Sequence, residues 1–151
     1  MTPGKVDLKV VGDRLRVVEL SLNDLESIPH GSLDEFVSDR RNPLAADAAL
    51  RRALEALFDV ARHLLAKGKG LAGLEYREVA RLAAETGLVS DSNLAERFSA
   101  MAGYRNRLTH HYDEVTPEEL HQILTSRLGD VSAVAESLRS VSYTHLRAHE
   151  T

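Results

Sequence analysis

Apolar residues recur at three- and four-residue spacing along almost the whole chain, and no stretch alternates with the period of two that a half-buried strand requires. Val6, Val10, Val11, Leu15, Val18, Leu22 and Leu25 form the first stripe, which predicts one amphipathic helix between Val6 and Ile28, ended by Pro29. "SLDE", starting at Ser32, has the form of a capping box, in which a hydroxyl and a carboxylate satisfy free amides at a helix start. A brief second helix in "LDEFVSD" is the expectation. The third and longest helix is expected in "NPLAADAALRRALEALFDVARHLLAKGKG". Asn42 is its N-cap, Pro43 its first helical residue, and Gly68 and Gly70 its stop. Tyr76 to Thr86, closed by Gly87, predicts a fourth helix, and "SDSNLAERFSAMAGYRNRLTH", capped by Asp91 or Ser92, a fifth. "TPEE" at Thr116 to Glu119 is another capping box, opening a sixth helix expected to run to about Ser140. Short connections and the absence of a repeat make the fold class all-α, an antiparallel bundle of about five to six helices.

Composition narrows the chemistry. The 151 residues suit one domain with its own core, and 43% hydrophobic with 28% charged residues is a globular composition. With no cysteine there is no disulfide framework, thiolate nucleophile or zinc–thiolate site. No apolar run approaches the length of a membrane span and the first residues lack a signal-like apolar core, so a cytoplasmic protein without a membrane partner is expected. The formal net charge of −4 excludes the broad basic footprint of a general nucleic-acid binder, so any such contact must be local. Residues 97–111 supply a patch of that kind, with Arg97, Arg105, Arg107, His110 and His111 and only Glu96 close in sequence to oppose them.

Other histidines read more plainly. Asp59 and His63 sit four apart on the central helix and read as a local pair, His121 as a surface residue and His30 as a loop residue. The last segment, "VSYTHLRAHET", differs from what precedes it and resembles translated adapter read-through. It is placed outside the domain, which spans residues 1–140, leaving 141–151 as a tail. His145 and His149 have the spacing of two metal ligands on one helix face, but nothing nearby supplies the third and fourth, and no metal is assigned.

The densest polar chemistry lies in "MAGYRNRLTHHYDEVTPEE", Met101 to Glu119, at the end of the fifth helix. Arg105 and His110 are five apart, which on an unbroken helix turns them about 140° from one another. To act together they need either a helix that ends near His110, so that the ring can swing back, or a site built between two subunits. A cation at a helix C-terminus is also favoured by the dipole, so a capping role for His110, a surface role for Arg105 and a packing role for Tyr112 stand beside the chemical reading. An Arg/His pair without cysteine or a metal cluster fits phosphodiester chemistry. Imidazole exchanges protons near neutral pH, guanidinium grips phosphate oxygens, and RNA brings its own nucleophile in the 2′-hydroxyl.

"RNRLTHHY" reads Arg105-x-x-x-x-His110-x-Tyr112 and resembles the R-x4-H-x-Y motif of HepT-like toxins in the HEPN superfamily. The likeness covers most of residues 4–140. It includes "LFDVARHLLA", "EYREVARLAAETGLVSDSNLAERFSAMAGYRNRLTHHY" and the helix after "VTPEEL". This resemblance implies an all-α homodimer whose two motifs face each other across a cleft and cleave RNA, with tRNA a known target class. It further implies a partner, a small MNT-type nucleotidyltransferase antitoxin that transfers AMP to the motif tyrosine. Carried over residue by residue, Arg105 and His110 are catalytic, Asn106 supports them, and Tyr112 is the AMP acceptor. Arg107, His111 and Arg97 are flanking contacts for RNA, and no metal or other cofactor is called for. His111 occupies a variable motif position, and residues 141–151 have no family counterpart. The alternative on the same motif is a non-catalytic helical dimer that binds and regulates the nucleotidyltransferase.

Overall fold

The computed structural model describes the backbone of residues 5–150 and the side chains of residues 5–144 except Tyr112. Seven α-helices make up the described chain: α1 (Leu8–Ser27), α2 (Leu33–Ser38), α3 (Arg41–Lys69), α4 (Tyr76–Glu85), α5 (Ser92–His110), α6 (Pro117–Ser126) and α7 (Leu128–Glu150). A 3-10 turn, Tyr112–Glu114, lies between α5 and α6. The fold is an all-α bundle. α3 is its axis: α1 lies along it, and α4, α5, α6 and α7 all pack against it. Its Leu50, Leu54, Leu57, Phe58, Ala61 and Leu65 are buried on the stripe the sequence displays.

Local chemistry sets most of the helix ends. Asp7 caps α1 by accepting from the amides of Lys9 and Val10, and Asp91 caps α5 through Asn93 and Leu94. Ser32 and Thr116 each accept from the amide three residues on, Glu35 and Glu119, as their capping boxes predict. Gly70 closes α3 at φ 74°, and Leu71 donates back to the Leu65 carbonyl at 2.9 Å, a left-handed closure that a side chain would strain.

Three expected boundaries move. The α3 helix starts at Arg41, not at Pro43. Arg40 is the N-cap and makes no side-chain cap bond; Asp39 before it accepts from the Arg41 amide at 2.9 Å, while Asn42 donates its side-chain amide to the Phe36 carbonyl and ties α2 to α3. Gly68 stays inside α3 and only Gly70 stops it. The expected sixth helix is two helices, broken at Arg127 (φ −119°, ψ −11°). Leu120, Ile123 and Leu124 before the break, and Leu128, Val131, Val134 and Leu138 after it, are all buried. The stripe stays in step across the break, so spacing alone cannot reveal it.

The backbone of α7 also continues past Ser140 to Glu150, with Val141 against the core and Ser142 buried and donating to the Leu138 carbonyl at 2.8 Å. The side chains of His145 and His149 lie outside the described residues. No described helix is long and apolar enough to cross a membrane.

Two histidine readings change. His63 does not pair with Asp59; its Nε2 accepts from the Asp7 amide at 3.0 Å, fixing the start of α1 against α3, while Asp59 faces Arg14 and Arg62 at 3.9 and 4.0 Å. His121 is half-buried rather than on the surface, packed against Phe36 with its Nε2 3.0 Å from the His30 carbonyl. Burial holds the His63 pKa below its ordinary value, with Lys67 acting in the same direction and Asp7 against it. The unfolded chain therefore binds a proton to His63 first as pH falls, so this contribution is present above about pH 6.5 and is lost as pH drops through the folded value. Melting curves between about pH 7.5 and 5 should show wild type losing stability relative to His63→Gln; parallel curves would contradict this.

Candidate active site

The groove is built where α3, α4 and α5 meet. Phe58 of α3 stacks on Phe98 of α5 at 4.4 Å between ring centroids and on Tyr76, the first residue of α4, at 5.1 Å. This aromatic row carries the packing from the core to the surface, and Tyr76 is its outer, half-buried member. Two guanidiniums lie over that ring, Arg105 at 4.2 Å and Arg62 at 4.5 Å from its centroid. Desolvation raises the Tyr76 pKa first, with Asp59 and Glu55 adding to the shift and Arg105 and Arg62 opposing it, so the phenol stays neutral.

Arg105 is held from several sides. Glu55 lies 3.7 Å from its Nη2, and its Nη1 donates to the Asn106 side-chain oxygen at 3.4 Å. Asn106 and His110 are one turn apart on the same face of α5, and Arg105, directed over Tyr76, borders the same groove as both. The α5 helix ends with His110, and His111 is its C-cap, with its amide bonded to the Arg107 carbonyl at 2.8 Å. An exposed imidazole in the last turn suits the helix dipole. Arg105, Asn106 and His110 line one groove of about 630 Å³, together with Arg62, Glu75, Tyr76, Arg77, Gly103, Arg107 and His111.

The flanking cations divide. His111 is exposed at the rim, 3.9 Å from Glu114. Arg107 borders the groove, but its guanidinium is committed to Glu119, with bonds of 2.5 and 2.8 Å, and to the Glu114 carbonyl at 3.2 Å. The Glu119 bond raises the Arg107 pKa still further. This arginine fastens the start of α6 to the end of α5. Arg97 does not join the groove. It is bound to Asp130 of α7 at 2.9 Å and borders a separate apolar cavity of about 170 Å³ among Leu50, Leu54, Met101, Ile123 and Val131. Glu55, Glu119 and Asp130 thus face arginines that have only Glu96 near them in sequence. The backbone of Tyr112 opens the 3-10 turn just past His110, and its side chain lies outside the described residues.

Sequence reasoning missed Arg62, Tyr76, Arg77 and Glu55. The only available signal was the helical register of α3, which puts Glu55, Asp59 and Arg62 on one side of the helix, since nothing in the sequence shows that α4 presents Tyr76 to that side.

The bundle has the fold of the HEPN toxins. It superposes with a TM-score of 0.77 on a tri-AMPylated Shewanella oneidensis HEPN toxin solved in complex with its MNT antitoxin, at 18% identity over 87% of this chain and 97% of that one. It matches the Bacillus subtilis cytosolic protein YutE, of unknown function, equally well, at 16% identity over 93% and 94% of the two chains. In sequence, it is 24% identical over 139 residues to the tRNA nuclease HepT of Aphanizomenon flos-aquae (strain 2012/KM1/D3), covering 89% of this chain and 91% of that protein. The profile of the HepT-like ribonuclease family matches residues 18–138. The chain belongs to this family of endoribonucleases.

Proposed function

We propose that the protein is a metal-independent endoribonuclease toxin acting on tRNA in the cytoplasm. Convergence of Arg105, Asn106 and His110 on one groove, in a chain of this family, carries the reading. The ribose 2′-hydroxyl attacks phosphorus and gives up its proton, the bond to the 5′-oxygen breaks, and that oxygen takes a proton, leaving a 2′,3′-cyclic phosphate and a 5′-hydroxyl. His110 acts as general base or acid in this exchange. Arg105 holds the non-bridging oxygens and stabilises the charge they gain in the transition state. Asn106, whose oxygen accepts from Arg105, steadies the guanidinium and offers its amide to the substrate. In a homodimer, two such grooves facing each other supply two imidazoles, one for each proton transfer. Purified protein incubated with total tRNA in EDTA should give discrete fragments that disappear in Arg105→Ala and His110→Ala. Intact tRNA would contradict the reading.

The partner is an MNT-type nucleotidyltransferase. The structural relative bound to such an antitoxin and AMPylated supports this, as does a second relative, a toxin–antitoxin pair with AMP-PNP, which matches at TM-score 0.75. The acceptor is Tyr112: its phenolic oxygen attacks the α-phosphorus of ATP, pyrophosphate leaves, and the phenol proton is released. The product places negative charge two residues from His110 and repels RNA from the groove. Mass spectrometry after co-expression with the antitoxin should show AMP on Tyr112 and none after Tyr112→Phe. An inhibited but unmodified toxin would show that binding alone neutralises it.

A further inference from the structure

Arg62 shares the Tyr76 ring with Arg105, and the two guanidiniums are the α3 and α5 sides of the same groove. Since both lie over one ring, they stand no further apart than the two ring distances placed end to end. Each is backed by a single carboxylate of α3 at long range, Arg105 by Glu55 at 3.7 Å and Arg62 by Asp59 at 4.0 Å. Contacts of that length orient a guanidinium without consuming its fork of donors. The Nε of both arginines is buried with no hydrogen-bond partner among the described residues. Arg107, on the rim of the same groove, differs because Glu119 and the Glu114 carbonyl occupy its donors. Two cations set over one aromatic ring, with no carboxylate among the described residues within hydrogen-bond distance of either, are arranged for a ligand that carries negative charge at two neighbouring points. A nucleic-acid strand does so at every pair of adjacent phosphates.

We propose that Arg62 is a phosphate-binding residue, taking a phosphate adjacent to the scissile one held by Arg105, with Tyr76 as the plate on which both guanidiniums are set. The inference rests on the nuclease reading and adds a second subsite to it. Arg62 contacts a phosphate that does not react, so its grip is the same in the ground and transition states and acts on KM rather than kcat. A substrate with one phosphodiester cannot use it.

The test has two arms. In the first, wild type, Arg62→Gln and Arg62→Lys cleave a dinucleoside monophosphate and a longer oligoribonucleotide. Arg62→Gln should raise KM about 10-fold more on the longer RNA than on the dinucleotide, at constant kcat, with Arg62→Lys in between, since lysine keeps the charge and loses the fork. Equal loss on both substrates would assign Arg62 a structural role and overturn the proposal, as would no loss on either. The second arm measures tRNA binding against salt in the His110→Ala background, where cleavage is not required. Adding Arg62→Gln should reduce the slope of log K against log[salt] by about 0.7 to 0.9, one phosphate contact. An unchanged slope overturns the proposal even if tRNA is cut. A reduced slope with no cleavage by wild type keeps the subsite and removes the nuclease reading.

Discussion

His110→Ala should lower kcat for tRNA cleavage by about 10²- to 10⁴-fold, the usual contribution of a positioned general acid or base. Stability should hardly change. His110 is exposed at the last position of α5, and the cap that closes the helix is the backbone bond from His111 to the Arg107 carbonyl, which an alanine leaves in place. A surface substitution of this kind falls within about 0.5 kcal/mol. Loss of activity without loss of stability separates a catalytic imidazole from a capping one. If His110→Ala cuts tRNA at the wild-type rate, the histidine is a C-terminal dipole partner and no more. Single-turnover cleavage alongside thermal melting measures both quantities.

Arg105→Ala should cost about 10²- to 10³-fold in kcat, as removal of a preorganised donor to transition-state charge does. Here some destabilisation accompanies the loss, because the guanidinium lies on Tyr76, and losing that cation–π contact costs about 0.5–1 kcal/mol. Arg105→Lys disentangles the two effects. Lysine keeps a cation near Glu55 and over the ring, yet it cannot donate to two phosphate oxygens from a planar fork, so stability should recover while most of the activity stays lost. Full recovery of activity in the lysine variant would mean that only charge is required at this position. The contrast with Arg107 is instructive, since its substitution should loosen the α5–α6 junction held by Glu119 rather than the chemistry.

The fold was legible in the sequence to the extent that local chemistry sets it. The stripes of α1 and α3, the caps at Ser32, Asp91 and Thr116, and the closure at Gly70 all depend on residues within one or two turns of each other, and all appear in the structure. The α6–α7 break was not legible, because the buried stripe runs through Arg127 without losing step. Nor was the true start of α3, where the Asp39 carboxylate holding the Arg41 amide competes with an Asn-Pro signal that on its own is a sound helix start.

The site divides along the same line. Arg105, Asn106 and His110 were readable because they occupy one helix end and carry a motif. What surrounds them was not. Arg62 and Tyr76 come from α3 and α4, Glu119 reaches Arg107 from twelve positions along the chain, and Asp130 reaches Arg97 from thirty-three. A cluster of cations in sequence therefore looked like one patch, whereas folding pairs Arg107 and Arg97 with separate carboxylates and sets Arg105 over the same ring as an arginine forty-three positions away. His63 shows the same effect, passing over the nearby Asp59 for the Asp7 amide fifty-six residues off.

The most direct measurement is a crystal structure of the protein with a tRNA-derived oligonucleotide whose 2′-hydroxyls are methylated, so that it binds without being cut. A phosphate is expected in the α3–α4–α5 groove, its non-bridging oxygens within hydrogen-bond distance of the Arg105 guanidinium and the blocked 2′-oxygen or the 5′-oxygen facing a His110 ring. A bound strand that crosses the protein elsewhere, or that meets Arg105 with every His110 ring turned away from the linkage, would contradict it.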